Sequence, residues 1–309
     1  MPAYKQNSSQ GRYHALYVLT DGGTFQTAYL LNGWAKLLRE CAGSRVATGI
    51  MLRGETKANF SKKLAFHECH AGKTQLTGAE REELEGLYAP LVPIEEAMIQ
   101  RLGIPPLPKN LLDRVLYFKT KLNTTRAYER LHAEIQRVGP MVILTYLDCM
   151  LKGDWLTSPQ AILNTHPGVL PYARGINAIE QMALKAHQEG APELFLESVG
   201  ATVHYIDAGV DTGPIIRAER LQEPLNYTCL ASLKADVYQL GYRMLLDEAR
   251  HLLMRPRSLP AGVVPNPALL GPNFLRKNFR PTECEVAFAQ LMEVNADSNA
   301  RADGAGMDM

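Results

Sequence analysis

Positions 13–20 read Tyr13-His14-Ala15-Leu16-Tyr17-Val18-Leu19-Thr20, rich in aromatic and β-branched side chains, and predict a first buried strand. Asp21-Gly22-Gly23-Thr24 breaks the run, and Ala28, Leu30, Leu31, Trp34, Leu37 and Leu38 then recur at helical spacing. A second apolar run at 46–52 completes a βαβ unit, the opening of a doubly wound, mostly parallel α/β sheet of Rossmann-like type. From 53 to 121 the pattern is harder to read. Helices are predicted at 79–88 and 94–102, with Ile104-Pro105-Pro106-Leu107-Pro108 as a stiff break.

Tyr128, Leu131, Ile135 and Val138 return at intervals of three and four, an amphipathic helix that ends before Gly139-Pro140. Met141-Val142-Ile143-Leu144-Thr145-Tyr146-Leu147 is nearly all apolar, as a central parallel strand should be. Ala161-Ile162-Leu163-Asn164 predicts the end of another strand, and a two-residue repeat then puts Asn164 and His166 on one side. A helix follows from Ile176 to Ala186, a strand at 200–206, and a short strand beginning at Ile215. A long helical pattern fills 226–253, a proline-rich stretch runs from 255 to 272, and a last helix is predicted at 283–294. The layout expected is a catalytic domain over 1–220, a helical, proline-containing C-terminal extension over 221–294, and a disordered polar tail over 295–309.

The chain has 309 residues, enough for a sizeable core, and 33 basic against 32 acidic side chains. That balance argues against a polyanion-coating protein, so a nucleic-acid partner is not expected. Five scattered cysteines, Cys41, Cys69, Cys149, Cys229 and Cys284, argue against a disulfide framework. The polar start, 1–12, lacks the apolar centre of a signal peptide, and no apolar run is long enough to span a bilayer. The expectation is a soluble cytoplasmic protein without a membrane partner, for which a homodimer is allowed. His67-Glu68-Cys69-His70 offers metal-binding side chains, but no second cluster at ligand spacing completes a site. These residues are expected on a helix or loop surface, and no metal is expected.

Candidate chemistry gathers at Asn164, His166 and Asp211. An amide can donate to an oxyanion, an imidazole can stabilise charge or move a proton, and a carboxylate on a glycine-bounded loop can orient the imidazole. No cysteine is beside the pair in sequence and Ser158 lacks a nucleophile-elbow context, so direct attack by an acceptor is favoured over a covalent intermediate. From spacing alone, His166 serves equally as a hydrogen-bonded structural histidine. The glycine turn at Gly22 serves equally as an anion cradle or as an ordinary tight turn. His204 reads as a reactive group or a buried, satisfied partner.

Asn164-Thr165-His166-Pro167-Gly168-Val169-Leu170-Pro171, Arg174-Gly175, Thr202-Val203-His204 and Asp211-Thr212-Gly213-Pro214 together resemble the folate-dependent formyltransferase family. The resemblance is strongest over about 141–217. Gly168 stands where serine is common, and a longer connection at 185–198 separates the two motifs. The resemblance implies catalytic roles for Asn164, His166 and Asp211, and 10-formyltetrahydrofolate as donor with Cys149, Met150 and Leu151 lining its pterin pocket. It also implies acceptor contacts from Gly22, Gly23, Thr24 and Arg174. The acceptor expected is a small-molecule amine or hydroxylamine, such as a hydroxyornithine-type siderophore precursor. Glycinamide ribonucleotide is the second candidate, disfavoured because Phe25 departs from the family's phosphate turn and Asp21 would repel phosphate. The same resemblance also admits a formyl-folate hydrolase or a non-catalytic folate-binding protein.

Overall fold

The computed structural model describes residues 13–256 and 258–305. The polar start read above as free of a signal peptide lies outside them. The first half holds β1 (Ala15–Asp21), α1 (Thr27–Glu40), β2 (Ala47–Arg53), α2 (Lys57–His70), α3 (Gly78–Leu87), α4 (Pro93–Leu102), β3 (Val115–Phe118) and α5 (Thr125–Val138). There follow β4 (Met141–Tyr146), α6 (Asp154–Thr157), β5 (Ala161–His166), β6 (Arg174–Gly175), α7 (Ala178–Glu189) and α8 (Pro192–Ser198). The chain closes with β7 (Gly200–Tyr205), β8 (Ile215–Arg220), α9 (Leu230–Met254), β9 (Asn273–Phe274) and α10 (Pro281–Ala305).

Seven strands form one sheet in the order β3-β2-β1-β4-β5-β7-β8. The first five run parallel, while β7 pairs antiparallel with β5 and β8 antiparallel with β7. Strand β1 is buried along its whole length, which is why its sequence is apolar on both faces. Leu16, Val18, Val142 and Leu144 face a core shared with α1, α4, α7 and α9. Tyr17, Leu19, Met141 and Ile143 face a second core closed by Leu131 of α5 and Trp155 of α6. Each fully buried leucine there contributes about 1.5–3 kcal/mol of transfer free energy.

The predicted elements recur with boundaries shifted by a few residues, and the differences have physical causes. Helix α2 was not legible because its buried side includes Lys63 and His67, which break the apolar stripe. Strand β3 has four residues at the sheet edge, three of them half-buried, and leaves almost no periodic signal. Strand β5 runs past Asn164 to His166 because β7 continues the ladder, His166 pairing with Thr202. The tail expected to be disordered continues as α10 to Ala305, where Ala296, Ala300 and Ala302 supply helix propensity. Residues 306–309 lie outside the described residues. Helix α9 packs on α1, α4, β1, β5 and β7, so it is part of the cover of the sheet. No helix among the described residues is long and apolar enough to cross a membrane.

Candidate active site

Asn164 and His166 share with Ile162 the face of the sheet that carries α5 and α6, at the carboxyl end of β5. His204 is the register partner of Asn164 on the neighbouring antiparallel strand, so its side chain falls on the same face. Asn164 Nδ2 lies 3.1 Å from His204 Nε2, and His204 Nδ1 lies 2.9 Å from the Tyr205 carbonyl oxygen. The carbonyl can only accept, which fixes the proton on Nδ1 and leaves Nε2 to accept from the amide. One of the two Asn164 amide hydrogens remains for another acceptor.

Asp211 closes the cluster from the β7–β8 loop. Its Oδ2 is 3.5 Å from His166 Nδ1 and its Oδ1 is 3.6 Å from His204 Nε2. The Gly175 amide donates to Asp211 Oδ2 at 2.8 Å. Asp211 adopts φ +50°, a left-handed conformation that Asp tolerates better than most side chains. The other nitrogen of His166, Nε2, lies 3.0 Å from the Ala173 carbonyl oxygen, so both ring nitrogens face oxygens.

Burial alone would raise the Asp211 pKa, but His166, His204, the Gly175 amide and Arg174 outweigh it and hold the carboxyl below its ordinary value. Burial lowers the pKa of His204, an effect that nearby Asp211 only partly opposes. An ionised carboxylate therefore stands between two imidazoles, one of which is kept neutral.

The loop after β5 is held by Thr202, whose hydroxyl accepts from the Leu170 amide at 3.0 Å and donates to the Gly168 carbonyl at 2.8 Å. A Cβ on Gly168 would stand 2.9 Å from His166 Nε2, so this placement of the imidazole leaves no room for a serine there. On the β4 side, Asn123 clamps the Cys149–Leu151 loop, donating to the Met150 carbonyl at 2.9 Å and accepting from the Lys152 amide at 2.9 Å. Cys149 is half-buried and Met150 exposed, whereas the Leu151 side chain is buried in the α5–α6 core. The Leu151 side chain is thus part of the core.

Two strands away, Gly22, Gly23 and Thr24 form the turn between β1 and α1. A Cβ at Gly22 would come within 2.4 Å of Glu55 Cβ, so the close approach of Glu55 requires glycine there. Lys63, fully buried, donates to the Gly22 carbonyl and pairs with Glu55. Asp21 is paired with Arg53, which also reaches Asp148, and Arg276 lies 3.1 Å from the same Asp148. The expectation that Asp21 would repel phosphate is therefore corrected: Arg53 neutralises it. A different carboxylate takes the amides at the start of α1. Glu95, 4% exposed, accepts from the Gln26 amide at 3.1 Å and from the Val92 amide at 3.2 Å, and the Phe25 amide also donates to it.

The chain after α9 returns over this edge. Tyr205 donates to the Pro260 carbonyl, Val263 bridges to Ile215, and β9 pairs in parallel with β6. Arg174 donates to the Gly271 carbonyl at 3.0 Å and to the Val210 carbonyl at 3.3 Å. Its guanidinium thus ties the returning strap to the Asp211 loop. A surface cavity of about 260 Å³ between α1 and α2, lined by Asn32, Arg39, Glu68 and Lys109, contains none of these groups.

Residues 95–245 match the model of a family described as formyl transferase. Over this stretch, just under half of its length, the chain is similar to the formyltransferase family. It is 31% identical over 130 residues to phosphoribosylglycinamide formyltransferase of Bacillus subtilis, covering 41% of this chain and 62% of that protein. It is 26% identical over 174 residues to methionyl-tRNA formyltransferase of Delftia acidovorans, covering 56% of this chain and 48% of that protein. The chain thus spans about half to three fifths of the length of these curated relatives. A sugar N-formyltransferase structure from a Shewanella species shares the fold, with a TM-score of 0.50 at 10% identity over 91% of this chain and 88% of that one.

The fold brings Asn164, His166 and Asp211 together and places Cys149–Leu151 on the next loop along the sheet edge. The sequence alone left His204 undecided, because its position opposite Asn164 depends on the pairing of β5 with β7. Arg53, Glu95 and Asn123 left no motif, because each acts through a partner distant in the chain. His67 was expected at a surface but is buried in α2. It lies 2.6 Å from the Pro105 carbonyl oxygen and 2.8 Å from the Tyr88 hydroxyl. The proline-rich break folds back over that helix and covers it. Among the described residues no group of three or more His, Cys, Asp or Glu is placed to hold a metal ion.

Proposed function

We propose that the chain transfers the formyl group of 10-formyltetrahydrofolate to the amine or hydroxylamine nitrogen of a small acceptor, a hydroxyornithine-type siderophore precursor being one candidate. The observation that carries this reading is the cluster of Asn164, His204, Asp211 and His166, which collects an amide donor, two imidazoles and a carboxylate. The neutral nitrogen attacks the formyl carbon, forming the new N–C bond as the carbonyl electron pair moves to oxygen. Asn164 donates its free amide hydrogen to that oxyanion, and His166 adds stabilisation. Asp211 takes the proton lost by the attacking nitrogen and passes it to N10 of the donor as the C–N10 bond breaks. The products are the formamide or formyl-hydroxylamine and tetrahydrofolate.

Cys149, Met150 and the backbone of Leu151 are the groups proposed to receive the pterin. Half-buried Cys149, which like Leu147 and Ile206 packs against the α5–α6 core, supports a flat aromatic ring at this place. On this reading the 221–294 extension is an integral cover of the catalytic domain, not a separate unit. An assay of tetrahydrofolate release by absorbance, with 10-formyltetrahydrofolate alone and with a panel of amines and hydroxylamines, tests the proposal. Release that depends on one amine supports it and names the acceptor. Release without amine indicates a hydrolase, and binding without release indicates a non-catalytic folate-binding protein.

A further inference from the structure

The start of α1 is where an acceptor phosphate would be held at a strand-to-helix turn, because unpaired amides and the helix dipole favour an anion there. In this chain the amides of Phe25 and Gln26 already point at the Glu95 carboxylate. Glu95 comes from the first turn of α4 and accepts from the Val92 amide as well, so one carboxylate serves the N-termini of two helices. Val92 has no side-chain acceptor of its own, which leaves this capping role to Glu95. Two cations beside the turn are also committed. Lys63 is paired with Glu55 and the Gly22 carbonyl, and Arg53 with Asp21 and Asp148.

From this we infer that Glu95 fills the place of an acceptor phosphate and acts as a specificity-determining residue, restricting the acceptor to amines whose turn-facing end is neutral or cationic. The inference rests on the formyl-transfer reading for its acceptor and on the Glu95 geometry for its exclusion of phosphate. Two like charges on the same pair of amides repel, and a buried carboxylate with three amide donors is not easily displaced. Amino-acid-like and other unphosphorylated amines meet no such obstacle.

Inorganic phosphate is the probe that tests the exclusion independently of catalysis. In the full-length ¹⁵N-labelled chain, phosphate is titrated while the amide signals of Gly23, Thr24, Phe25 and Gln26 are followed. The wild type is expected to show no saturable shift in the millimolar range. Glu95→Ala, which frees both charge and space, is expected to bind phosphate at least about tenfold more tightly. Should Glu95→Ala not fold, Glu95→Gln keeps the side-chain volume, and removal of the charge alone is expected to tighten binding in the same direction. Saturable phosphate shifts in the wild type, or no gain in the folded variant, would overturn the inference. A second arm compares tetrahydrofolate release with ethanolamine and with O-phosphoethanolamine. Equal or greater use of the phosphorylated member also overturns it, whereas absence of transfer to any amine counts against the proposed function and leaves the phosphate arm to decide the role of Glu95.

Discussion

Asn164 and His204 stand opposite one another on β5 and β7, joined by a 3.1 Å hydrogen bond from Asn164 Nδ2 to His204 Nε2. Because His204 Nδ1 faces the Tyr205 carbonyl, the imidazole is held in the tautomer that accepts. The bond directs the remaining amide hydrogen of Asn164.

Replacing Asn164 by Ala removes the proposed oxyanion donor. The loss expected is about 2.7–4 kcal/mol of transition-state stabilisation, or about 10²–10³ in kcat. Steady-state kinetics with the identified acceptor check it, and near-normal turnover refutes the assignment.

His204→Ala is expected to lower kcat less than Asn164→Ala, because it disorients the amide without deleting it. The double variant should be no slower than Asn164→Ala alone. A double-mutant cycle on kcat reads this coupling directly, and additive losses would show that His204 acts apart from Asn164.

Asp211→Asn keeps a residue type that accepts the +50° φ, so folding should survive the change. Without the charge, proton transfer from the attacking nitrogen loses its base, and kcat is expected to fall by about 10²–10⁴. Unchanged thermal unfolding alongside unchanged turnover would remove Asp211 from the mechanism.

His67 supplies a pH prediction for stability. Burial lowers its pKa to about 4, against a weaker opposing pull from the Pro105 carbonyl. The unfolded chain takes up this proton near its reference pKa of about 6.5 while the folded chain does not, so stability is complete above that value and falls as pH drops from about 6.5 towards 4. The loss expected is of order 3 kcal/mol at most. Urea unfolding across this range, repeated on His67→Gln, measures it, and an equal slope in both chains would assign the acid sensitivity elsewhere. His204 and Asp211 act in the same direction, His204 below about 6.5 and Asp211 only as pH falls through its own lowered value.

Arg174→Ala cuts the ties from β6 to the Gly271 and Val210 carbonyls. About 1–3 kcal/mol of stability should go with them. The observable is a lower Tm together with faster amide exchange at 271–276, and protection unchanged there would show that β9 holds the strap by itself.

Much of the architecture was legible because it rests on local pattern. The apolar run at 141–146 and the spacing of Leu30, Trp34 and Leu37 in α1 each encode their element within a few residues. Strand β3 and helix α2 were not legible because their burial comes from partners elsewhere. His67 is covered by a proline segment about forty positions later, and Lys63 is buried only because Glu55 and the Gly22 carbonyl neutralise and accept from it.

By itself the sequence determined the strand that carries Asn164 and His166, since period-two alternation puts residues two apart on one face. It also supplied the motif by which the chain resembles the formyltransferase family. Tertiary structure alone decided that Asp211 meets both imidazoles and that His204 aims the Asn164 amide, because strand β7 had to fold back antiparallel before those atoms came within reach. It decided as well that the amides after the glycine turn, which reads equally as an anion cradle or an ordinary tight turn, are already taken by Glu95. A helix N-terminus is visible in a sequence, whereas the group that occupies it is fixed by the fold, which brings Glu95 of α4 to the Gln26 amide.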